Sequence, residues 1–306
     1  MAIVTGHLPC TLEIQPTLSF VLTKPRRQYF SFPSGIIHYI SHTPSSYDGY
    51  QNLLQSCKYF VFKKYIVISD TFYVKEESND IMLNYLTKFD VLSDNLRYKL
   101  WMNRLLTLQT DNDATMMTKL LRNTYRCNLI YLTVSHQTFS YNEYLMLVEG
   151  GKLQDLVFWN VVITYDDGTI VPFENMLENV PNINEVTCSY TETPKSAISS
   201  KTIENLLNLP IFNKLVVFKI YDKYPKCNAQ QFCDFIKKTN ILIFEMYFTS
   251  AVIDEKWFKT FETNFENTNF IAKKKIEKGR VPFSKSTKYH DLTVIEIRKK
   301  RNLHFN

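Results

Sequence analysis

The chain has 306 residues, of which 45% are hydrophobic and 22% charged, and its formal net charge is +6. This composition supports the core of one large domain or two ordinary ones, and it excludes disorder throughout the chain. Residues 272–306 hold 11 Lys or Arg against 3 Asp or Glu, so the rest of the chain is close to neutral and offers no electrostatic footprint for nucleic acid.

Two short helices are predicted between residues 30 and 70, after an N-terminal extension over residues 1–29. Pro33 suits a first helical turn, and the residues behind it form an apolar face made of Ile36, Ile37 and Ile40. A polar hinge over residues 41–48 leads to the second helix. Its apolar face consists of Leu53, Leu54, Cys57 and Phe60.

After a connector over residues 71–104, the region 105–300 repeats an apolar triplet at positions i, i+3 and i+5. Successive triplets start 24 to 51 residues apart, and the longest interval leaves room for a further strand at residues 270–276. The triplets are Leu105-Leu108-Thr110, Leu129-Leu132-Val134, Leu153-Leu156-Phe158, Ile183-Val186-Cys188, Leu215-Phe218-Ile220, Ile241-Phe244-Met246 and Leu292-Ile295-Ile297.

Helix signals separate these predicted strands. Ser140 with Glu143 forms a capping box, and Asn228 with Gln231 repeats its logic. Pro172 opens a helix by its fixed backbone angle. Asp254 is placed to cap a helix whose apolar residues are Trp257, Phe258, Phe261 and Phe265.

The alternation of strand, loop and helix predicts stacked βα units with right-handed crossovers. We therefore expect an α/β fold in which a short N-terminal helical module precedes a parallel βα solenoid. The units resemble an irregular leucine-rich repeat, best over residues 153–161, where Asn160 occupies the asparagine position that most other units lack. The alternative is a single doubly wound α/β domain.

The N-terminal segment resembles an F-box over residues 30–70. The matching positions are Pro33, Ile36, Ile37, Ile40, Leu53, Leu54, Cys57 and Phe60. The whole chain is similar to the expanded F-box-like families of nematodes, which join this module to leucine-rich-repeat-like units. The resemblance implies that these residues bind a Skp-type adaptor of a cullin ubiquitin ligase, while the repeats recruit an unidentified protein substrate. The alternatives are a vestigial F-box without a ligase role and a hairpin that merely caps the repeat core.

The predicted sheet also carries a candidate substrate-binding face. Residues at i+2, i+4 and i+6 of each unit point to the side opposite the triplets. Large aromatic residues beside mixed charges are typical of protein interfaces if they are exposed. The candidates are Tyr131, Trp159, Lys219, Tyr221, Glu245 and Tyr247, and the predicted inner face also holds Thr133, Asp155, Val157, Glu185, Val217 and Ile243. The alternative is that the C-terminal tail covers them.

The basic tail ends the array with a strand over residues 292–297. Its lysines are expected to keep an exposed sheet edge from pairing with other chains. A nuclear address or an RNA contact through this tail is the remaining alternative.

Catalytic signals do not emerge from the sequence. Seven glycines form no phosphate-binding loop, and six dispersed cysteines form no CxxC pair, so we expect reduced thiols and no cofactor. His38 and His42 lack a third metal ligand, and the pairs Asp111/Asp113 and Asp166/Asp167 are typical of turns. Apolar runs are far shorter than the roughly 20 residues of a membrane span. We expect a non-enzymatic protein-binding subunit in the cytoplasm or nucleus, with no membrane partner.

Overall fold

The computed structural model describes the chain in stretches, and the account below concerns these residues. They are 33–56, 60, 66–75, 81–83, 87–89, 98–110, 113–190, 200–209, 214–222, 228–239, 241–248, 255–266, 268–279 and 290–299. Within them, no helix has the length and apolar character needed to cross a membrane.

Helices and strands alternate along most of the described chain. The helices are α1 (Ser34–His42), α2 (Tyr47–Ser56), α3 (Met116–Arg122), α4 (Tyr141–Val148), α5 (Phe173–Leu177), α6 (Ser200–Leu206), α7 (Ala229–Lys238) and α8 (Glu255–Phe265). The strands are β1 (Ile66–Lys75), β2 (Ile81–Leu83), β3 (Thr87–Phe89), β4 (Lys99–Gln109), β5 (Thr124–Cys127), β6 (Tyr131–Ser135), β7 (Thr138–Ser140), β8 (Asp155–Trp159), β9 (Val162–Thr164), β10 (Glu185–Ser189), β11 (Val217–Asp222), β12 (Ile243–Phe248), β13 (Phe270–Gly279) and β14 (His290–Lys299).

A large sheet organises the fold. Its order is β13-β14-β12-β11-β10-β8-β6-β4-β1-β2-β3, with β5 paired beside β4, and β7 and β9 form a separate parallel pair. The strands from β1 to β12 in this order are all parallel, whereas β13, β14, β2 and β3 join antiparallel. The predicted α/β class with a mainly parallel sheet is confirmed, and the solenoid stays a prediction.

Five of the seven apolar triplets lie in register across neighbouring parallel strands. Their second residues are Cα partners in the order Leu132, Leu156, Val186, Phe218 and Phe244. All five are at most 1% exposed, and they belong to the core beneath α3–α8. The spacing of i, i+3 and i+5 thus identified equivalent positions, because each strand turns alternate residues into one core.

The first predicted triplet, Leu105-Leu108-Thr110, was placed two residues too late in the sequence. Leu132 aligns with Leu106 and Val134 with Leu108, so Leu105 lies on the other face of β4. Leucines occupy both 105 and 106, and an apolar pattern cannot fix strand register where both faces carry apolar residues.

The last triplet belongs to β14, which runs antiparallel to β12 and is therefore not a further parallel unit. Ile295 and Ile297 are nevertheless buried in the common core. The strand predicted at residues 270–276 exists as β13, which pairs antiparallel with β14 at the sheet edge. Period-two alternation specifies which side chains are buried but not the direction of the strand.

The helices α3–α8 bury their apolar residues in the same core as the triplets. Both predicted capping boxes are confirmed, at Ser140 before α4 and at Asn228 before α7. Pro172 is the N-cap of α5, while Asp254 lies outside the described residues.

Hydrogen bonds also link neighbouring helices from α4 to α8. Tyr144 on α4 donates to the carbonyl of Met176 on α5 at 2.8 Å. Similar links join later helices: Asn205 to Glu174 at 2.7 Å, Gln231 to Glu204 at 2.9 Å and Asn264 to Gln230 at 2.8 Å.

Two units share a sharp corner after the strand. His136 after β6 and Asn160 after β8 both have a φ of 53°, and each donates its N–H to the last residue of the next strand in the sheet, at 2.8 Å. This left-handed backbone suits asparagine, whose short side chain tolerates it. The corner redirects the chain into β7 and β9, which pair with each other as the second sheet.

The helical hairpin α1–α2 packs against the start of β1 and β4. Its anchor is a separate buried cluster formed by Tyr50, Ile66 and Trp101. Trp101 lies on the opposite side of β4 from Leu100, which belongs to the core under α3–α8. The domain boundaries assigned at residues 70 and 104 both fall inside strands, β1 and β4.

Candidate protein-binding face

The side of the sheet opposite α3–α8, here called the front face, carries three rows of side chains. Strand register defines the lower row as Tyr131, Asp155, Glu185, Val217, Ile243 and Arg298. The middle row is Thr133, Val157, Thr187, Lys219, Glu245 and Glu296, and the upper row is Ser135, Trp159, Ser189, Tyr221, Tyr247 and Val294. The structure thus places all six predicted substrate-binding residues on one face.

Three aromatic rings of the upper row form a line in which each ring contacts the next. Trp159 and Tyr221 have ring centroids 4.8 Å apart, and Tyr221 and Tyr247 stack at 4.1 Å with their planes 4° from parallel. Ser189 on β10 lies between Trp159 on β8 and Tyr221 on β11, and its small side chain leaves room for these two rings to meet.

Burial of these aromatics differs from the exposed arrangement we expected. Trp159 is 4% exposed and Tyr221 is 8% exposed, and they form a cluster with Leu292 and Val294 of β14. Val294 is the cross-strand neighbour of Tyr247, so β14 extends this cluster within the sheet, and coverage of the aromatic residues by the C-terminal tail stays a prediction. Only Tyr247 keeps partial exposure.

A chain of ion pairs crosses the front face beside the aromatic row. Lys219 contacts Glu245 at 3.1 Å, and Arg298 contacts the same carboxylate at 3.4 Å. Arg298 also pairs with Glu296, which Lys275 approaches at 3.3 Å. Glu245 is 6% exposed, so its buried charge needs these partners and the Tyr247 hydroxyl, which donates at 2.9 Å.

The tyrosines of this cluster are held in their neutral form. Burial raises the pKa of Tyr221 to about 12, with a smaller contribution from Glu245. Burial also raises the pKa of Tyr247, and the neighbouring Tyr221 and Glu245 add to the effect. Both hydroxyls therefore stay protonated, and that of Tyr247 donates to Glu245.

Acidic residues mark the lower row. Asp155 and Glu185 are cross-strand partners, and burial together with the Glu185 charge raises the pKa of Asp155 to about 6. Next to them, the Arg104 guanidinium lies 5.9 Å from the ring centroid of the half-buried Tyr131.

The hairpin distributes its predicted adaptor-binding residues over two environments. Ile36 is 45% exposed and Ile40 is 36% exposed, whereas Ile37 is buried. Sequence reasoning missed Tyr39, which is 67% exposed on the same stripe. Its i, i+3 spacing from Ile36 was the available signal. Of the remaining predicted residues, Pro33 is the exposed N-cap of α1, Leu53 and Leu54 are half-buried, Phe60 is buried, and Cys57 lies outside the described residues.

A cleft of about 330 Å³ separates α1 from α2. Its lining includes Tyr39, Ile40, Tyr50 and Leu53, so the exposed stripe continues into it. The loop beneath it is tied to β5, because Tyr125 donates to the Pro44 carbonyl at 3.3 Å and Arg126 donates to the Ser45 carbonyl at 3.2 Å.

The described residues hold neither a cluster of metal ligands nor an exposed cysteine. None of them form a group of three or more potential metal ligands. Cys127, Cys188 and Cys233 are free and buried, which raises their pKa values.

Two of the predicted turn carboxylates are engaged locally, and Asp111 lies outside the described residues. Asp113 pairs with Lys119 before α3, and Asp167 accepts from Thr169 at a tight turn. The His38 and His42 rings lie side by side on α1, with centroids 3.7 Å apart and planes tilted by 32°.

Comparison with known proteins yields no assignment: no family model matches the chain, and no curated protein matches it in sequence. The resemblance to F-box and leucine-rich-repeat proteins thus stays a prediction.

Proposed function

We propose that this protein is a substrate-recruiting subunit of a Skp-cullin-F-box type ubiquitin ligase. The α1–α2 hairpin binds the Skp-type adaptor, and the front face binds the protein target. The βα units stack as an irregular solenoid of the leucine-rich-repeat kind, and the ubiquitin-transfer chemistry belongs to other subunits.

The exposed stripe Ile36, Tyr39 and Ile40 on α1 carries this proposal. These residues lie on one helix face at i, i+3 and i+4 spacing and are between 36% and 67% exposed. A contiguous apolar stripe in water is costly, and such patches are typical of interaction sites. The residues behind the stripe, Ile37 on α1 and Tyr50 on α2, are buried.

Attachment of the hairpin to the sheet also supports a docking role. Tyr47 packs edge-on against Trp101 with ring centroids 6.3 Å apart, and the Tyr50 hydroxyl donates to the Ile66 carbonyl at 3.4 Å. A helix pair anchored in this way presents the stripe without moving independently of the sheet. Such preorganisation lowers the entropic cost of binding an adaptor.

The front face supports target binding through its charged and half-exposed side chains. Within the described part of the chain, its buried cluster consists of strand residues, Tyr247 packs against this cluster, and Tyr131 and Lys219 are also half-exposed on the same face. Mixed charges around buried aromatics are typical of the rim of a protein interface. This arrangement gives the target fixed charges beside an aromatic cluster.

Binding of a purified Skp-type adaptor by the full-length protein tests the proposal. Ile36→Asp and Ile40→Asp each introduce a charge at the contact, and we expect at least tenfold weaker binding, because burying an unpaired carboxylate costs more than 1.4 kcal/mol. Gln55→Glu on α2 adds the same charge at an exposed position away from the stripe and serves as the matched control. Ile37→Asp is unsuitable, since Ile37 is buried and its replacement unfolds the hairpin.

Two outcomes would contradict the ligase role. An unmutated protein that does not bind the adaptor would leave a binding solenoid with a vestigial F-box. RNA binding that falls steeply with added salt would favour the basic tail as the functional site.

A further inference from the structure

The edge strand β13 combines features that differ from a protected edge. It spans ten residues at one end of the described sheet, whereas the described strand at the other end, β3, spans three. In an antiparallel pair, every second residue of an edge strand directs its N–H and C=O away from its neighbour. β13 therefore offers a long row of backbone groups that β14 does not satisfy.

Exposed isoleucines accompany these backbone groups. Ile271 is 42% exposed and Ile276 is 68% exposed. Proteins normally protect long edges with charge and avoid apolar residues there, because such edges recruit other strands. Lysines alone would be sufficient for protection, so the two isoleucines indicate an edge that receives a partner strand.

Charge on β13 selects the partner. Lys273 and Lys275 project on the front-face side, where Lys275 pairs with Glu296. Lys273 is exposed and makes no ion pair with any described residue. A second copy of β13 would place like charges across the new pair, which is destabilising, while an acidic strand would place carboxylates there.

The helix side of β13 offers space for the other side chains of such a strand. A cleft of about 590 Å³ runs between α8 and β13, lined by Lys259, Glu262, Thr263, Phe265, Glu266 and Ala272. Ala272 is small, and Phe265 supplies an apolar floor beside Phe270, at a ring distance of 5.4 Å. Side chains that alternate with the acidic ones would enter this cleft.

We propose that β13 binds an extended acidic segment of the target protein as an additional strand of the sheet. Carboxylates of this segment lie opposite Lys273 and Lys275, and the apolar residues between them face the cleft above Ala272. Backbone hydrogen bonds supply affinity, while the alternate side chains supply specificity, as in other cases of strand addition. The inference rests on the proposed function, for which it names the class of target sequence.

A labelled synthetic peptide with eight alternating glutamate and valine residues is the probe, titrated against the full-length protein by fluorescence anisotropy. We expect saturable binding that Lys273→Glu weakens about tenfold. Lys201→Glu on α6 is the matched control and should bind as the unmutated protein does. A peptide with lysine in place of glutamate should not bind.

Backbone methylation separates strand addition from simple charge attraction. Two peptides are prepared, N-methylated at either the odd or the even residues. Strand addition requires that one of them loses binding and the other keeps it, because only one edge of the peptide faces β13. Equal binding of both peptides, or binding unaffected by Lys273→Glu, would overturn the inference, as would a dimer formed through β13 in sedimentation experiments.

The test is independent of the adaptor. Ile36→Asp should bind the acidic peptide normally while losing the adaptor, and Lys273→Glu should behave in the opposite way. A protein that fails only the peptide titration keeps its proposed ligase role, and one that fails only the adaptor titration keeps its proposed target site.

Discussion

The side-chain oxygen of Gln137 accepts a hydrogen bond from the backbone N–H of Met117 at 3.0 Å. Met117 lies in the first turn of α3, whose free N–H groups need acceptors, and Gln137 belongs to the following βα unit. The Gln137 amide nitrogen donates to Thr110 and to the carbonyl of Asp113, at 3.0 and 2.8 Å. One fully buried side chain thus joins two successive units.

Gln137→Ala should therefore destabilise the protein by about 2 kcal/mol, because it leaves buried donors and acceptors without partners. Urea unfolding followed by circular dichroism measures the change. Gln154→Ala, at an exposed position before β8, is the control and should change stability by less than about 0.5 kcal/mol. Equal effects of the two substitutions would show that the contact between units is dispensable.

Tyr221 is the central ring of the upper row, in contact with Trp159 and Tyr247. Tyr221→Ala should cost about 3 kcal/mol, since it opens a cavity between two aromatic rings. Tyr221→Phe keeps the ring and loses only the hydroxyl, so its cost should be about 1 kcal/mol or less. Guanidinium unfolding compares the two variants, and similar costs would mean that the row is not packed as described.

Asp155 should make stability depend on pH. Burial and Glu185 raise the pKa of Asp155 to about 6 in the folded state, above the ordinary value of 3.8. The folded state thus disfavours the ionised carboxylate, and this group destabilises the protein progressively as pH rises from about 4 to about 6.

Asp155→Asn should accordingly raise the melting temperature at pH 7 and leave it nearly unchanged at pH 4. Glu185→Gln should lower the pKa of Asp155 and reproduce part of the gain. Asp166→Asn removes a charge from an exposed turn and controls for net charge. A gain for Asp155→Asn of the same size at both pH values would refute the assigned cause.

The buried thiols should be inert in the native protein. Burial raises the pKa of Cys233 to about 12 and also raises the pKa values of Cys127 and Cys188, so little reactive thiolate forms at pH 8. Treatment with iodoacetamide, read by peptide mass spectrometry, should leave these three residues unmodified until denaturant is added. Rapid native modification of Cys188 would contradict its buried position in β10.

Most of the parallel sheet could be predicted from the sequence, because the apolar triplet that marks each strand is repeated. The triplets from Leu129 to Ile241 recur with the same spacing, and each recurrence marks one strand of a common core. The capping boxes at Ser140 and Asn228 were equally readable, since both depend on residues only three positions apart. The front-face residues followed from strand alternation once the strands were known.

Sequence by itself thus determined the α/β class, the buried side of five strands and the face on which the aromatic residues lie. Only the tertiary structure decided that β14 runs antiparallel, that Leu292 and Val294 join the buried cluster of Trp159 and Tyr221, and that Ile37 is buried while Ile36 stays exposed. The physical reason is the range of the interactions. Caps and strand periodicity act between residues close in sequence, whereas strand direction and burial depend on partners far apart in sequence, such as Met246 and Ile295.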